Sequence, residues 1–143
     1  MTVLDTNVIS ELMKRAPAGQ VVGWIATQPA TSLFTTSVTQ AEILHGIMRL
    51  PAGRKRSALE AAAEAMFTED FGGRILPFGS DAAHAYARIA TDRRRIGRPI
   101  SHFDAQIAGI ARSAGAAIAT RNVRDYEGRG APVIDPWKAG RCR

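Results

Sequence analysis

Short apolar segments alternate with longer amphipathic ones along this chain, and this alternation constrains the fold more than any other feature. Apolar and β-branched residues predict strands at 2–5, 32–36, 74–78, 116–120 and 132–134. Apolar residues at helical spacing, together with the Pro and Gly residues that end helices, predict six helices. They run over 7–14, from about 20 to Pro29, from Ser37 or Thr39 to Met48, over 54–68, from Ser80 or Asp81 to the arginines at 93–95, and from Ser101 to Gly115. Such alternation favours an α/β domain with helices on both faces of a mostly parallel sheet.

The composition is that of an ordinary globular chain. The 143 residues are 45% hydrophobic and 22% charged and contain no repeat or linker, so we expect a single domain over residues 1–143. No apolar run approaches the ~18 residues of a membrane span, and Met1 is not followed by the basic residues of a secretory signal. Cys142 is the only cysteine and cannot form an internal disulfide, so we expect a reducing, cytoplasmic location.

Positive charge is concentrated in two clusters. Lys and Arg number 19 against 13 Asp and Glu, which gives a net charge of +6, and arginine-rich clusters stand at 54–56 and 93–95. Such clusters suit a polyanion such as RNA or an acidic partner protein, and they are equally compatible with a solvated helix face. No aromatic residue alternates with them, so a base-stacking surface is not indicated.

Four acidic residues lie near the ends of predicted strands. Asp5 ends the first strand, and Glu42 lies in the first turn of the helix after the second strand. Asp104 lies in the first turn of the sixth predicted helix, and Asp125 follows the fourth strand. Ligands of parallel α/β sheets bind beyond the carboxyl ends of the strands. We therefore expect these four side chains to meet in one pocket.

Each acid also has a purely structural explanation. Asp5 could cap a helix, and Asp125 could stabilise a turn. Glu42 and Asp104 each stand three residues after a threonine or serine, which is the spacing of a capping box. Four carboxylates in one pocket repel each other, however, and such a cluster usually needs a cation.

The residue types favour a hard ion and phosphodiester chemistry. Oxygen ligands without a cysteine or histidine cluster select Mg²⁺ or Mn²⁺ rather than zinc. His45 and His102 are candidates to line the pocket, whereas His84 fits a helix face. A divalent ion generates a water nucleophile and stabilises the leaving oxygen. An acidic, metal-loaded pocket beside a basic surface therefore predicts a metal-dependent nuclease.

Other classes remain open on the residues alone. In a non-catalytic binding domain the acids would be helix caps, and the arginines would bind nucleic acid or an acidic partner. A phosphoacceptor domain would need a lysine at a strand end near the aspartates, and Lys14, Lys55 and Lys138 are not so placed. A DNA nuclease stays possible because metal chemistry does not distinguish the sugar.

Four ordered motifs and the chain ending carry a family resemblance. They are LDTNVISE at 4–11, SVTQAEILHG at 37–46, DAQIA at 104–108, ATRNVRDY at 119–126 and VIDPW at 133–137. Together they resemble PIN-domain ribonucleases, and most of all the VapC toxins of bacterial type II toxin–antitoxin pairs. The similarity covers essentially the whole chain.

The resemblance implies a three-layer α/β/α sandwich and a toxin that is an endoribonuclease. It implies Mg²⁺ as cofactor, for which Mn²⁺ may substitute, an RNA substrate and a homodimer. It also implies a cognate VapB-like antitoxin that occludes the site. The sequence leaves the RNA target, the number of ions and the identity of the antitoxin open.

The resemblance also assigns roles to residues of this chain. Asp5, Glu42 and Asp104 match the metal-site carboxylates of the family. The fourth acid has two candidate positions, and Asp125 is favoured as the carboxylate over Asn122, which would be a neutral pocket ligand. The residues expected to contact substrate are Thr6, Thr120, Arg121 and Asn122.

Overall fold

The fold is described from a computed structural model, which covers residues 1–128 and 131–139. The strands are β1 (Thr2–Leu4), β2 (Leu33–Thr36), β3 (Ile75–Leu76), β4 (Ala117–Ala119) and β5 (Val133–Ile134). The α-helices are α1 (Thr6–Leu12), α2 (Gly19–Ala26), α3 (Ser37–Met48), α4 (Arg54–Ala65), α5 (Ser80–Arg95), α6 (His102–Ser113) and α7 (Val123–Tyr126). Cys142, on which the cytoplasmic expectation rests, lies outside the described residues.

All five strands are parallel and pair in the order β3-β2-β1-β4-β5. From β1 the chain builds the sheet outward through β2 and β3, then crosses back to add β4 and β5 on the other side of β1. The direction of winding therefore reverses between β1 and β4. In open α/β sheets the crevice at such a reversal, beyond the carboxyl ends of the strands, is where ligands bind.

Two apolar cores lie on opposite faces of this sheet, which gives three layers. Successive residues of a strand point to opposite faces, so Val3 joins the core with α5 and α6, whereas Leu4 joins the core with α1 to α4. Ile118 and Ala119 divide in the same way on β4. The expected three-layer α/β/α sandwich with a parallel sheet is confirmed.

Several predicted boundaries are wrong by a few residues. The N-cap of α3 is Thr36, whose hydroxyl accepts from the Thr39 amide at 3.0 Å, rather than Ser37 or Thr39. The helix predicted to begin with a Ser80 or Asp81 cap has Gly79 at its N-cap instead. The predicted helix 54–68 ends at Ala65 and continues as a π-helical turn, and α7 was not predicted at all. No helix among the described residues has the length and hydrophobicity needed to cross a bilayer.

Candidate active site

The candidate site lies where β1 and β4 end side by side. The Asp5 amide donates to the Ala119 carbonyl at 2.9 Å, which extends the pairing of the two strands by one residue. Asp5 then begins α1 as its N-cap, and Thr120 follows β4. The two residues face each other because parallel strands bring their carboxyl ends to one edge.

Asp5 is a buried carboxylate held by several donors. Asp5 is only 2% exposed to solvent. Oδ1 accepts from the Thr6 amide at 2.8 Å, and Oδ2 accepts from the Thr120 hydroxyl at 2.8 Å and the Asn7 amide group at 3.3 Å. Thr120 is itself fully buried. Its hydroxyl therefore orients the Asp5 carboxylate.

Asp104 reaches the same place from α6. The Ser101 hydroxyl accepts from the Asp104 amide at 3.1 Å, so Ser101 is the helix cap that the sequence predicted. The Asp104 carboxylate, however, accepts from the Tyr126 hydroxyl at 3.2 Å. The same hydroxyl lies 3.2 Å from Asp5 Oδ1, so one phenol joins the two acids.

Glu42 approaches from α3 on the other side. Its Oε1 accepts from the Thr6 hydroxyl at 2.8 Å, and that hydroxyl also lies 3.0 Å from Thr39 Oγ1. Glu42 is therefore held by α1, and Thr39 lies within α3 rather than at its cap. The capping-box explanation of Glu42 is wrong for this reason.

A cavity of about 440 Å³ opens between these elements. The sequence predicted that four acids would meet in one pocket; Asp5, Glu42 and Asp104 line this cavity, and Asp125 does not. The other lining residues are Thr6, Asn7, Ser10, Glu11, Lys14, Arg121, Asn122 and Trp137. Three carboxylates from distant segments of the chain therefore share one solvent-accessible space.

Two acids of the cavity, Asp5 and Glu42, have a raised pKa. Burial raises the pKa of the Asp5 carboxyl from 3.8 to about 6, the charge of Asp104 adds to the rise, and hydrogen bonds oppose it. Burial and the charge of Asp104 also raise the pKa of Glu42 above its ordinary value. Burial and both aspartates raise the pKa of Tyr126, so the phenol stays a neutral donor.

Basic side chains do not neutralise these acids. Over residues 1–128 and 131–139, ion pairs join Lys14 to Glu11 and Arg56 to Glu60 alone. Asp5, Glu42 and Asp104 thus have no cationic side chain within ion-pair distance in that part of the chain. A buried carboxylate without a counter-ion is costly, and a bound cation would relieve that cost.

The donor set fits a hard divalent cation that retains much of its water. In the described part of the chain, no three Asp, Glu, His or Cys side chains are arranged to hold an ion by themselves. Asp5 and Asp104 form a close pair through Tyr126, and Glu42 lies beyond Thr6. Mg²⁺ is commonly bound by one or two carboxylates plus waters and substrate phosphate, rather than by a cage of protein ligands.

One rim of the cavity is positively charged. The Arg121 guanidinium lies 4.9 Å from the centre of the Trp137 ring, and the Arg121 amide donates to Asn7 Oδ1 at 3.2 Å. Lys14 lies on the same cavity and bonds to Glu11 at 2.9 Å, which lowers the pKa of the Glu11 carboxyl. Cationic groups at the mouth of an acidic site suit a polyanionic substrate.

Asn122 and Asp125 occupy different places. Asn122 lines the acidic cavity and also a neighbouring cavity of about 580 Å³, whereas Asp125 lines the neighbouring cavity, with Arg124, Glu127 and Lys138, but not the acidic one. The short helix α7 causes this separation, because it turns Tyr126 inward to full burial and leaves the preceding residue on the outer side. The role of Asp125 as a metal ligand stays a prediction.

The remaining candidates fall outside the cavity. His45, His84 and His102 are exposed and do not line it; the Tyr86 hydroxyl lies 2.9 Å from His102 Nδ1. Arg93, the first residue of the predicted basic cluster 93–95, is only 7% exposed. It bonds to backbone carbonyls inside the protein, so it is not a surface residue of that cluster.

Sequence reasoning gave no role to Tyr126, Asn7 or Glu11. Tyr126 and Asn7 lie inside quoted motifs, but nothing local shows that their side chains reach Asp5. Their partners are up to 121 residues away along the chain. The one signal in the sequence is a tyrosine directly after an acid, in a segment that follows a predicted strand.

A family model and several known proteins match this chain. The model of the PIN domain matches residues 2–127. A relative from Sinorhizobium fredii, VapC ribonuclease Y4jK, is 37% identical over 96% of this chain and 99% of its own length. Toxin FitB of Neisseria gonorrhoeae is 33% identical over 96% of this chain and 99% of its own length.

The fold also matches a solved structure. The crystal structure of FitAcB from Neisseria gonorrhoeae superposes with a TM-score of 0.88 at 33% identity, covering 96% of this chain and 99% of that one. The family model alone spans β1 to α7, which carry every acid of the cavity. The likeness therefore extends over the site and is not limited to the sheet.

Proposed function

This chain belongs to the PIN-domain family and, within it, to the VapC toxin ribonucleases, and on that premise we propose that it cleaves RNA phosphodiesters at the acidic cavity with a bound Mg²⁺. Ribonucleases of this family generally depend on a divalent metal. The observation that carries the proposal is the uncompensated pair Asp5 and Asp104, which share one hydroxyl at the carboxyl edge of the sheet. An acidic pair that forms no ion pair with the basic side chains of the described residues is suited to a cation.

The choice of Mg²⁺ rests on the small number of close protein ligands. Asp5 and Asp104 would bind the ion directly, and Glu42 would bind it through water because it lies beyond the Thr6 hydroxyl. Mn²⁺ has similar ligand preferences and would substitute. Asp125 belongs to the proposal as an outer carboxylate, facing the neighbouring cavity where a second ion could enter with substrate.

The chemistry needs no protein nucleophile. When bound, the cation supplies an acidified water and charge neutralisation at the scissile phosphate. Thr120 and Thr6 orient the carboxylates of Asp5 and Glu42. Arg121, exposed at the rim and stacked on Trp137, is placed to bind a phosphate of the RNA backbone.

Partners follow from the family. We propose that a cognate VapB-like antitoxin covers the cavity in the resting complex, that the toxin is a homodimer, and that the pair acts in the cytoplasm. The two cores share one sheet, which supports a single functional domain.

The test is cleavage of total RNA by the purified chain with Mg²⁺, Mn²⁺ or EDTA, with the new ends mapped. We expect cleavage with either ion, none with EDTA, and a loss of several orders of magnitude in Asp5→Ala and Asp104→Ala. Asp81→Ala is a matched control, because Asp81 is exposed at the start of α5 and outside the cavity. Unchanged cleavage by folded Asp5→Ala protein would overturn the proposal, and a wild-type protein that cleaves no RNA with either ion would favour a non-catalytic binding domain.

A further inference from the structure

Tyr126 makes the closest connection between the two aspartates of the site. Its hydroxyl lies 3.2 Å from Asp5 Oδ1 and 3.2 Å from Asp104 Oδ1. A phenol has one proton and can donate to one acceptor at a time. The two carboxylates therefore share a single donor, and its position sets where their oxygens lie.

The surrounding core fixes the position of that hydroxyl. The tyrosine is completely buried and belongs to the core that contains α5 and α6. Arg93 of α5 anchors the adjacent backbone, because its Nη1 donates to the Asp125 carbonyl at 2.8 Å and its Nε donates to the Arg98 carbonyl at 2.5 Å. A buried ring on an anchored backbone has little freedom to move its hydroxyl.

We propose that Tyr126 is a positioning residue for the metal site, whose hydroxyl holds the Asp5 and Asp104 carboxylates together in the geometry that receives a divalent ion. The proposal rests on the proposed function, since it concerns the same site. Without the hydroxyl, the Asp104 carboxylate would lose its donor and could turn away from Asp5, which Thr6, Asn7 and Thr120 would still hold. Outer groups that orient metal ligands typically change metal affinity 10- to 100-fold when removed.

The first test measures Mn²⁺ affinity of the purified chain by calorimetry and by electron paramagnetic resonance. Tyr126→Phe keeps the buried ring and removes the hydroxyl alone. We expect the Kd for Mn²⁺ to rise by roughly 10- to 100-fold. Tyr86→Phe is the matched control, because that hydroxyl faces His102, and it should leave the Kd unchanged.

Thermal unfolding in EDTA separates positioning from stability. A purely structural tyrosine would lower the Tm of Tyr126→Phe without changing the Kd for Mn²⁺ of the folded protein. A Kd within about twofold of the wild-type value would overturn the proposal. Wild-type protein that binds no Mn²⁺ would overturn the proposed function as well, so the two failures are distinguishable.

A second measurement needs no substitution at Tyr126. The chain has 2 tyrosines, so labelling with 3-fluorotyrosine gives two fluorine resonances, which Tyr86→Phe assigns. On addition of Mg²⁺ we expect the Tyr126 resonance to shift saturably, because its hydroxyl contacts both ligands, while the Tyr86 resonance stays in place. A Tyr126 resonance that does not respond to saturating Mg²⁺ would contradict the proposal.

Discussion

Asp5 has two structural roles at one position. Its carboxylate caps α1 through the Thr6 amide and also lines the acidic cavity. The capping explanation and the functional explanation of this residue are therefore compatible. For Glu42 they are not, because its carboxylate bonds to α1 and not to the start of its own helix.

Stability of the metal-free protein should fall as pH rises through the titration of Asp5. The pKa of Asp5 is about 6 in the folded chain against an ordinary 3.8, so the folded state binds the proton more tightly. The resulting destabilisation is absent at pH below about 4, grows between pH 4 and 6, and is fully present above 6. Its size is about 3 kcal/mol at most.

Urea unfolding of wild type and Asp5→Asn in EDTA checks this prediction. Because Asn cannot ionise, the stability of Asp5→Asn relative to wild type should increase from pH 5 to pH 7.5. In the stability difference between the two proteins, the contributions of other groups that titrate in both, including Glu42, cancel. A stability difference that is the same at both pH values would show that Asp5 titrates normally.

At the residue scale, the acids could be predicted and their supports could not. Asp5, Glu42 and Asp104 stand next to predicted strand ends or helix starts, where parallel α/β topology places ligands. Tyr126 reaches Asp5 across 121 residues, and no spacing rule connects them. Asp125 is an acid in a suitable segment, but it lines the neighbouring cavity and not the acidic one.

Two close contacts stabilise the packing of α5, α6 and α7, and Asp104 and Tyr126 of the site lie on α6 and α7. Arg93 joins α5 to α7 and to the Arg98 carbonyl. Gly109 of α6 lies against the backbone of α5 near Ala82 and Tyr86. Each contact permits a prediction.

Removing the Arg93 guanidinium should destabilise the protein. In Arg93→Met the carbonyls of Arg98 and Asp125 lose their donors inside the protein, at a cost of about 2–4 kcal/mol. Arg94→Met is the matched control, since Arg94 is exposed on the same helix, and should change stability by less than ~0.5 kcal/mol. Chemical denaturation measures both, and equal effects would contradict the inward role of Arg93.

Adding a methyl group at Gly109 should separate α5 from α6. A Cβ there would lie 2.7 Å from the Ala82 carbonyl oxygen and 3.0 Å from the Tyr86 amide nitrogen. We expect Gly109→Ala to cost about 1–3 kcal/mol, despite the higher helix propensity of alanine. Gly23 in α2 has open space where a Cβ would lie, so Gly23→Ala should raise the free energy of unfolding by up to ~1 kcal/mol. Stabilisation by both substitutions would show that the two helices are not in close contact.

At the element scale, the strands could be predicted from short apolar and β-branched runs, and the long helices from apolar residues at helical spacing. The helix caps were harder to predict. Thr36, Ser37 and Thr39 are all good capping residues, and Thr36 is the N-cap because β2 ends there. The helix α7 has 4 residues, which is too short for a periodic pattern. It is nevertheless the element that brings Tyr126 to the site.

Across the whole molecule, charge is distributed unevenly. The chain has a net charge of +6, yet the candidate cavity is lined by four carboxylates, Asp5, Glu11, Glu42 and Asp104, with basic residues at its rim. The sheet order explains this arrangement, because winding reverses between β1 and β4 and brings distant acids to one edge. The sequence predicted a parallel sheet, but the strand order that creates the crevice depends on long-range pairing.

Anomalous diffraction from crystals soaked in Mn²⁺ locates the ion directly. We predict one strong peak within coordination distance of both Asp5 and Asp104, and a much weaker peak in crystals of Asp104→Asn. A peak confined to the neighbouring cavity of Asp125, or no peak near Asp5 at saturating Mn²⁺, would contradict a metal site formed by the paired aspartates.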